Sequence, residues 1–592
     1  MVSEHLVLER PDWTRPRLAP SGDRFAAIRW HDGAANVWIG SGQSPMRLAS
    51  DLRPWQLRDY YWGADGQGLI LEVELPGTGQ RVLAWLDLRG RTLTRLTPGL
   101  GADARYAGQT TGEKASVIVG VRYPQSSSYE LQAVTPAGTV LSEWRGPGQP
   151  VRAWLANGRH AVAVSTADSQ CTWWLGELAE PSWSPILKLP AADAGAQPLA
   201  FSHDGQALFA LSTAGRDTIA LTRMTSPGWA PEVLSAADGF DVVSVLMSPD
   251  DGVPDLVTCT DPVRPQLALT EAAATDLNRL RQLADGGPAT IIGRNQSHCL
   301  AEIASQVGGP AFVTFGRQDG SVSKPLARFT GFAKVTMRQR DAFSYPARDG
   351  RQITGFITRP AGQPPWPVVL IVHDGPWSRD RAQVDPWAQS LAAAGLCCVQ
   401  VNYRGSRGFG REFTRAGDKQ WSLAMQDDLV DALRSPAVAE IADPGRITAI
   451  GYGYGGYAAL MLATQHELPL AGVAAAAAPT DLVRYVQGLM SVGGSSGREI
   501  AQRIGHPVDD REQLTEASPV SHGADVTGPV LLFHGQQDRR VPVSQATTLA
   551  ESLRRAGQQC ELIVYEDEGH RFARPQNLAD MRARTISFLL ER

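Results

Sequence analysis

Six glycines, Gly22, Gly66, Gly112, Gly158, Gly205 and Gly252, recur through the first half of the 592-residue chain at intervals of 44, 46, 46, 47 and 47 residues. Short runs of alternating apolar residues follow them. The local forms are alike: Ser21-Gly-Asp, Ala64-Asp-Gly, Ala156-Asn-Gly, Ser202-His-Asp-Gly and Ser248-Pro-Asp-Asp-Gly. A period in the mid-forties is what four short antiparallel strands and their turns require, which is one blade of a β-propeller. Six marks, with room for another unit before about residue 330, predict seven blades. Gly and Asp punctuate any all-β domain, but a stack of sandwiches has no reason to hold the interval so nearly constant. Twelve of the sixteen tryptophans lie in this half, which fits aromatic packing between blades better than a ligand platform.

From about residue 336 the period changes to alternating strands and helices. Strands are expected at 367–372, 396–401, 446–450, 528–533 and 561–565, and helices at 387–394, 422–433, 457–465 and 578–590. Such alternation over roughly 250 residues means a mostly parallel sheet covered on both faces, with any active site at the carboxyl ends of its strands. The predicted fold class is therefore α/β plus all-β. Residues 1–330 are expected to form the all-β propeller domain, and residues 331–592 the α/β domain.

A formal charge of −5 offers no basic patch, so nucleic acid is not an expected partner. Cysteines at 171, 259, 299, 397, 398 and 560 show no C-x-x-C spacing. They suit neither a disulfide framework nor a zinc site, and read as small buried hydrophobes in a reducing compartment. The N-terminus carries no apolar signal region, and the apolar runs near 367–372 and 470–478 are too short to span a membrane. A cytoplasmic protein without membrane partner, metal or cofactor is expected.

Chemistry concentrates in three places. Ile447-Thr-Ala-Ile-Gly451-Tyr452-Gly453-Tyr454-Gly455-Gly456-Tyr457 has the layout of a nucleophile elbow, where a strand turns sharply into a helix. In the G-x-S-x-G pattern the flanking positions must be small, and Gly451 and Gly455 meet that need. The central position is Gly453, which has no hydroxyl. Tyr452 and Tyr454 are too weakly nucleophilic to replace a serine and would point elsewhere. Gly493-Gly494-Ser495-Ser496-Gly497 matches the pattern as a string but follows no buried strand, and reads as a flexible loop. Further on, one strand leads to Asp538 and the next to His570. The order nucleophile, acid, histidine is that of an α/β-hydrolase, with Asp538 orienting and His570 acting as general base.

Together these features resemble the prolyl oligopeptidase family of serine peptidases, nearest its acylaminoacyl peptidases. The resemblance rests on Phe343-Ser-Tyr-Pro-Ala-Arg-Asp-Gly350, Ile353–Pro360, Val401-Asn-Tyr403-Arg404-Gly-Ser406, Gln426-Asp-Asp-Leu429, Ala442-Asp-Pro444, Gly455-Gly-Tyr457 and Asp567-Glu-Gly-His570-Arg-Phe572. It implies that Tyr403 donates its hydroxyl to the oxyanion, with the Tyr454 N–H as second donor, and that the propeller restricts substrates to short peptides. Two departures stand out. The family's H-G-G-P is here His373-Asp374-Gly375-Pro376, placing a carboxylate near the oxyanion side, and the serine is Gly453. The Glu-Glu pair of dipeptidyl peptidases occurs nowhere in the chain.

Three readings follow. The first is a peptidase acting on short peptides or acyl-peptides that has lost its nucleophile, by engineering or naturally. The second is a non-hydrolytic lyase, cyclase or isomerase in which the Asp538–His570 dyad moves a proton, assisted by Tyr403, Tyr452 or Asp374. The third is a peptide-binding pseudoenzyme or a scaffold using its propeller face, although a pure binder has no need of the dyad. The partner is a short peptide or other small molecule, and a homo-oligomer is compatible with the sequence.

Overall fold

In the computed structural model, the described residues are 11–592 apart from 32–33, 43, 50, 77, 79, 98–100, 111–114, 168–169, 180–181, 191–195, 214, 286, 306–307, 330–331, 333–334, 466–467 and 492–494. Contacts divide them into two compact units: Pro11–Ser305 with Pro310–Thr330, and Gly331–Arg592.

The first unit is built of propeller-like antiparallel meanders. Among the described residues these span 14–48, 56–95, 103–144, 151–190, 197–235, 242–268 and 289–327, each of four strands except the three-stranded sixth. The third and fourth are joined into one sheet through a single parallel pairing of Ala156 with Gly108. The first and last meet: Asn295 Nδ2 donates to the carbonyls of Ala19 and Gly22, and Trp13, Phe25 and Ala27 share a buried cluster with Leu300 and Phe312.

The repeating glycines sit in the turn before the second strand of each meander, at φ between 67° and 89°. That left-handed backbone favours glycine. A Cβ on Gly158, Gly205 or Gly252 would also overlap Thr110, His160 or His203, the side chains presented by the preceding meander. The interval is therefore set by meander packing against meander. Gly112 lies outside the described residues. In the seventh meander the same turn is made by Asn295, whose Oδ1 accepts the backbone N–H groups of Ser297 and His298. The sixth replaces its last strand by helix Glu271–Leu283, capped by Thr270 and burying Ala273, Leu277 and Leu280. The sequence reading had no helix in this half.

In the second unit eight strands form one sheet in the order Arg340–Pro346, Gln352–Thr358, Cys397–Asn402, Trp366–Val372, Ala442–Tyr452, Gly472–Ala476, Val530–Gly535 and Cys560–Tyr565. From Cys397–Asn402 onward all neighbours are parallel. Alternation places Val368, Leu370 and Val372 in the buried cluster on one face and Val369 and Ile371 in the other. Each such side chain contributes roughly 1.5–3 kcal/mol by leaving water. The adjacent Cys397 and Cys398 point to opposite faces, and all six cysteines are free. Among the described residues no helix is long and apolar enough to cross a membrane.

Several motif residues hold the frame rather than the chemistry. Arg404, 6% exposed, pairs with Asp428 (2.7 Å) and Asp349 (2.7 Å), fixing the turn after Cys397–Asn402. Gly493 and Gly494 lie outside the described residues, but Ser495 opens helix Ser495–Arg503. Ser495, Ser496 and Gly497 are therefore helical and not a loop.

Candidate active site

Strand Ala442–Tyr452 runs into helix Tyr454–Leu462 through Gly453 alone, at φ 55° and ψ −121°. Such a junction needs backbone closer to backbone than any side chain allows. A Cβ on Gly451 would overlap the Gly455 carbonyl, and one on Gly455 would overlap the Val372 carbonyl oxygen. The turn is locked by Gly453 N–H donating to Ala476 O (2.8 Å) and Gly453 O accepting from Tyr457 N–H (3.1 Å). Every residue of the helix is buried, so the junction is held from below by packing. Helical periodicity had set its start at 457; the all-apolar segment Tyr454–Leu462 has no polar face to announce where it begins.

The space beside Gly453 is filled. Asp374, from the loop after strand Trp366–Val372, places Oδ1 2.9 Å from the Tyr454 N–H, which donates to it. A Cβ on Gly453 would overlap that same oxygen and stand 2.8 Å from Asp374 Cγ. Of the two donors expected for an oxyanion, this one is therefore engaged by a carboxylate. The Tyr454 side chain turns into the core, edge-on to Trp421 at 4.6 Å.

Tyr403 lies beside the elbow, its ring 5.4 Å from that of Tyr454, but its hydroxyl is engaged elsewhere. It is fully buried, its hydroxyl donates to the His373 carbonyl oxygen (2.8 Å), and its ring stacks on His373 at 4.3 Å. Burial pushes its pKa up, so the phenol stays protonated. His373 Nε2 lies 2.9 Å from Ser406 Oγ, and burial pushes the imidazole pKa down to about 4, keeping it neutral. Tyr403, His373 and Ser406 together form a buried clamp under the loop that carries Asp374.

Asp538 and His570 are hydrogen-bonded to each other. Asp538, beyond strand Val530–Gly535, has a fully buried side chain whose Oδ2 is 2.8 Å from His570 Nδ1. Its Oδ1 accepts the N–H groups of Arg540 (2.9 Å) and Val541 (2.8 Å). Burial opposes the charge, but hydrogen bonds from His534, His570 and the Val541 N–H outweigh it and hold the carboxyl well below its ordinary range. With Nδ1 committed to Asp538, His570 keeps Nε2 for the site. Tyr452 joins the two halves: its hydroxyl donates to the His570 carbonyl and its ring lies edge-on to the imidazole at 6.1 Å.

Five neighbours were not singled out from sequence: His373, Ser406, His534, Tyr485 and Arg540. Tyr485 is buried and lies within the fields of Arg540, Asp374 and Asp538. His373 and Ser406 stand in motifs already noted and His534 lies four residues before Asp538, but only the three-dimensional contacts give them roles.

Comparisons with known proteins agree with this architecture. Residues 382–592 match the prolyl oligopeptidase family. The chain is 24% identical over 610 residues to dipeptidyl aminopeptidase BIII of Pseudoxanthomonas mexicana, covering 100% of this chain and 88% of that protein. Among solved structures it is similar to a Mycobacterium tuberculosis puromycin-hydrolyzing peptidase, with TM-score 0.74, 17% identity, and coverage of 100% and 96% of the two chains. The acylaminoacyl peptidase of Pyrococcus horikoshii aligns with TM-score 0.68 and 14% identity over 99% and 97%.

Proposed function

Because residues 382–592 belong to the prolyl oligopeptidase family, we propose that this chain is a peptidase-like protein that engages short peptides or acyl-peptides and forms no acyl-enzyme. The observation that carries this reading is Gly453 at the elbow of a sheet that also presents the hydrogen-bonded Asp538–His570 pair. The relatives named above are peptidases, which supports this reading. Without a hydroxyl at the turn, His570 has no nucleophile to deprotonate. In triad enzymes removal of the serine costs about a million-fold in turnover.

The test pairs binding with covalent labelling. Calorimetry with short N-acylated and free peptides is expected to give saturable binding, while a fluorophosphonate probe leaves the chain unmodified. A stoichiometric adduct at the site, or no binding across a peptide panel, overturns the reading.

A second reading is favoured by one observation, the Asp374 carboxylate standing on the elbow near Tyr452, which itself contacts His570. A carboxylate, a phenol and an imidazole suit proton transfer without a covalent intermediate. A turnover lost in His570→Ala but indifferent to fluorophosphonate would select this reading over the first.

A further inference from the structure

Asp374 and Gly453 are distant in sequence and meet in space, and each explains the other. The carboxylate accepts the Tyr454 N–H at 2.9 Å. That N–H follows the nucleophile position, so it points where an acyl oxyanion would form. A Cβ at 453 would overlap Asp374 Oδ1 and stand 2.8 Å from Cγ, both nearer than a Cβ tolerates, with Oδ2 at a tight 3.1 Å. The loop cannot simply swing aside. His373 is clamped by Ser406 and Tyr403, so a side chain at 453 is accommodated only by turning the Asp374 carboxylate off the Tyr454 N–H.

We infer that Asp374 and Gly453 work as one unit, in which the carboxylate is a built-in occupant of the oxyanion position and the glycine is the residue that makes room for it. This deepens the reading of a site without an acyl-enzyme. The loss has two components, a missing hydroxyl and a donor taken by a negatively charged group. A substrate acyl oxygen cannot use the Tyr454 N–H while Asp374 holds it. Gly453→Ser alone therefore does not rebuild the site, because the new side chain and the carboxylate claim the same space. Removal of both obstacles, in Gly453→Ser/Asp374→Gly, frees the donor and supplies the hydroxyl. His570 then takes the serine proton as Oγ attacks an ester carbonyl, returns it to the leaving alkoxide, and repeats the exchange with water.

A double-mutant cycle on the full chain tests the coupling without relying on activity. Gly453→Ala is expected to lower Tm by several degrees in the original background and by less than half as much beside Asp374→Gly. The cost of a left-handed backbone at 453 is common to both backgrounds and cancels. Equal losses in both overturn the inference. If Gly453→Ala fails to fold alone, its rescue by Asp374→Gly is the same result. Failure in both backgrounds, with the Tyr454 amide exchanging no faster in Asp374→Gly, counts against it.

Fluorophosphonate labelling and p-nitrophenyl acetate hydrolysis give the second readout. The double variant is expected to react at least about tenfold faster than Gly453→Ser, since one oxyanion donor carries 10²–10³ in rate in a working site. Equal labelling of the two at a measurable rate sinks the inference. A coupled cycle with an inert double variant instead overturns the peptidase reading and leaves the Asp374–Gly453 unit standing.

Discussion

The acid–base half of the site and the elbow half sit at the ends of strands in one sheet, yet they have kept different things. At Asp538 and His570 the side chains, their 2.8 Å contact and the depressed carboxyl pKa are all in place. At the elbow it is the backbone that is in place: Gly451 and Gly455 permit the turn, Ala476 and Tyr457 tie it, and Gly453 carries no side chain. The cause lies in what each half depends on. A dyad is made of side chains, and the loss of one leaves an unpaired buried group. An elbow is made of close backbone approach and packing, which the sheet and the buried helix impose whether or not a hydroxyl stands on top. The shape of an elbow is therefore no evidence of a nucleophile.

The strongest way to break this contrast is to ask whether the dyad is still competent once the elbow is given its chemistry. In Gly453→Ser/Asp374→Gly, adding His570→Ala is expected to return p-nitrophenyl ester hydrolysis to the level of the parent chain. In subtilisin the corresponding loss is about a million-fold in turnover, and even Asp alone carries about 3 × 10⁴. If the regained activity survives His570→Ala, the pairing at 2.8 Å has no catalytic meaning and the comparison collapses.

The elbow half is tested by stability. A Cβ at Gly455 meets the Val372 oxygen and, at 2.9 Å, its carbonyl carbon, and no flexible side-chain end is available to yield. Gly455→Ala is expected to cost more than about 3 kcal/mol by urea denaturation, among the largest single-residue effects. A loss under about 1 kcal/mol would mean that close backbone approach does not hold the turn.

How much of this was legible in the sequence follows the same division. The Gly22-to-Gly252 repeat is readable because each described glycine makes the same left-handed turn before a second strand, and Gly158, Gly205 and Gly252 also sit against the preceding meander. Its seventh instance was hidden because Asn295 makes the turn with its side chain. Helix Glu271–Leu283 had its signals, Thr270 as cap and Ala273, Leu277 and Leu280 as a buried stripe. It was masked by the expectation of strands around it. Gly453, Asp538 and His570 were readable from strand-turn-helix order. The place of Tyr403 was not, since its hydroxyl goes to a carbonyl that only the fold brings near. Nor was the meeting of Asp374 with Gly453, because no periodicity relates two loops on neighbouring strands.

The halves also separate by pH. Buried His373, beneath the elbow loop, has its folded pKa lowered to about 4, while in the unfolded chain it titrates near 6.5. The stability of its neutral form is present above about 6.5 and is lost as pH falls from there toward 4, because only the unfolded state takes the proton. Between pH 7 and 5 that is roughly 2 kcal/mol, and His373→Gln should remove it in urea melts. Asp380 acts oppositely. Burial and the nearby Asp385 raise it to about 7, so the folded chain binds the proton first and gains stability as pH falls from about 7 toward 4. Asp380→Asn should therefore make the chain more acid-sensitive. The Asp538 carboxyl, held below its ordinary range, contributes no change in this window. Its stabilisation is present above the unfolded value near 4 and fails only below it. If His373→Gln leaves the pH dependence unchanged, the elbow half is not the titrating one.

The smallest effect asks whether the elbow glycines are special or merely glycines. Gly488 lies exposed within helix Leu482–Ser491, and a Cβ built there meets nothing within 4 Å. A glycine in an exposed helix costs about 0.5–1 kcal/mol relative to alanine, through the backbone freedom it must give up. Gly488→Ala is expected to raise stability by about that amount, the opposite sign to Gly455→Ala in the same domain. Both replacements add one methyl group, so the difference between them isolates what close backbone approach contributes at the turn. A destabilised Gly488→Ala would place the cost in glycine replacement itself, and the argument that packing alone preserves the elbow would lose its control.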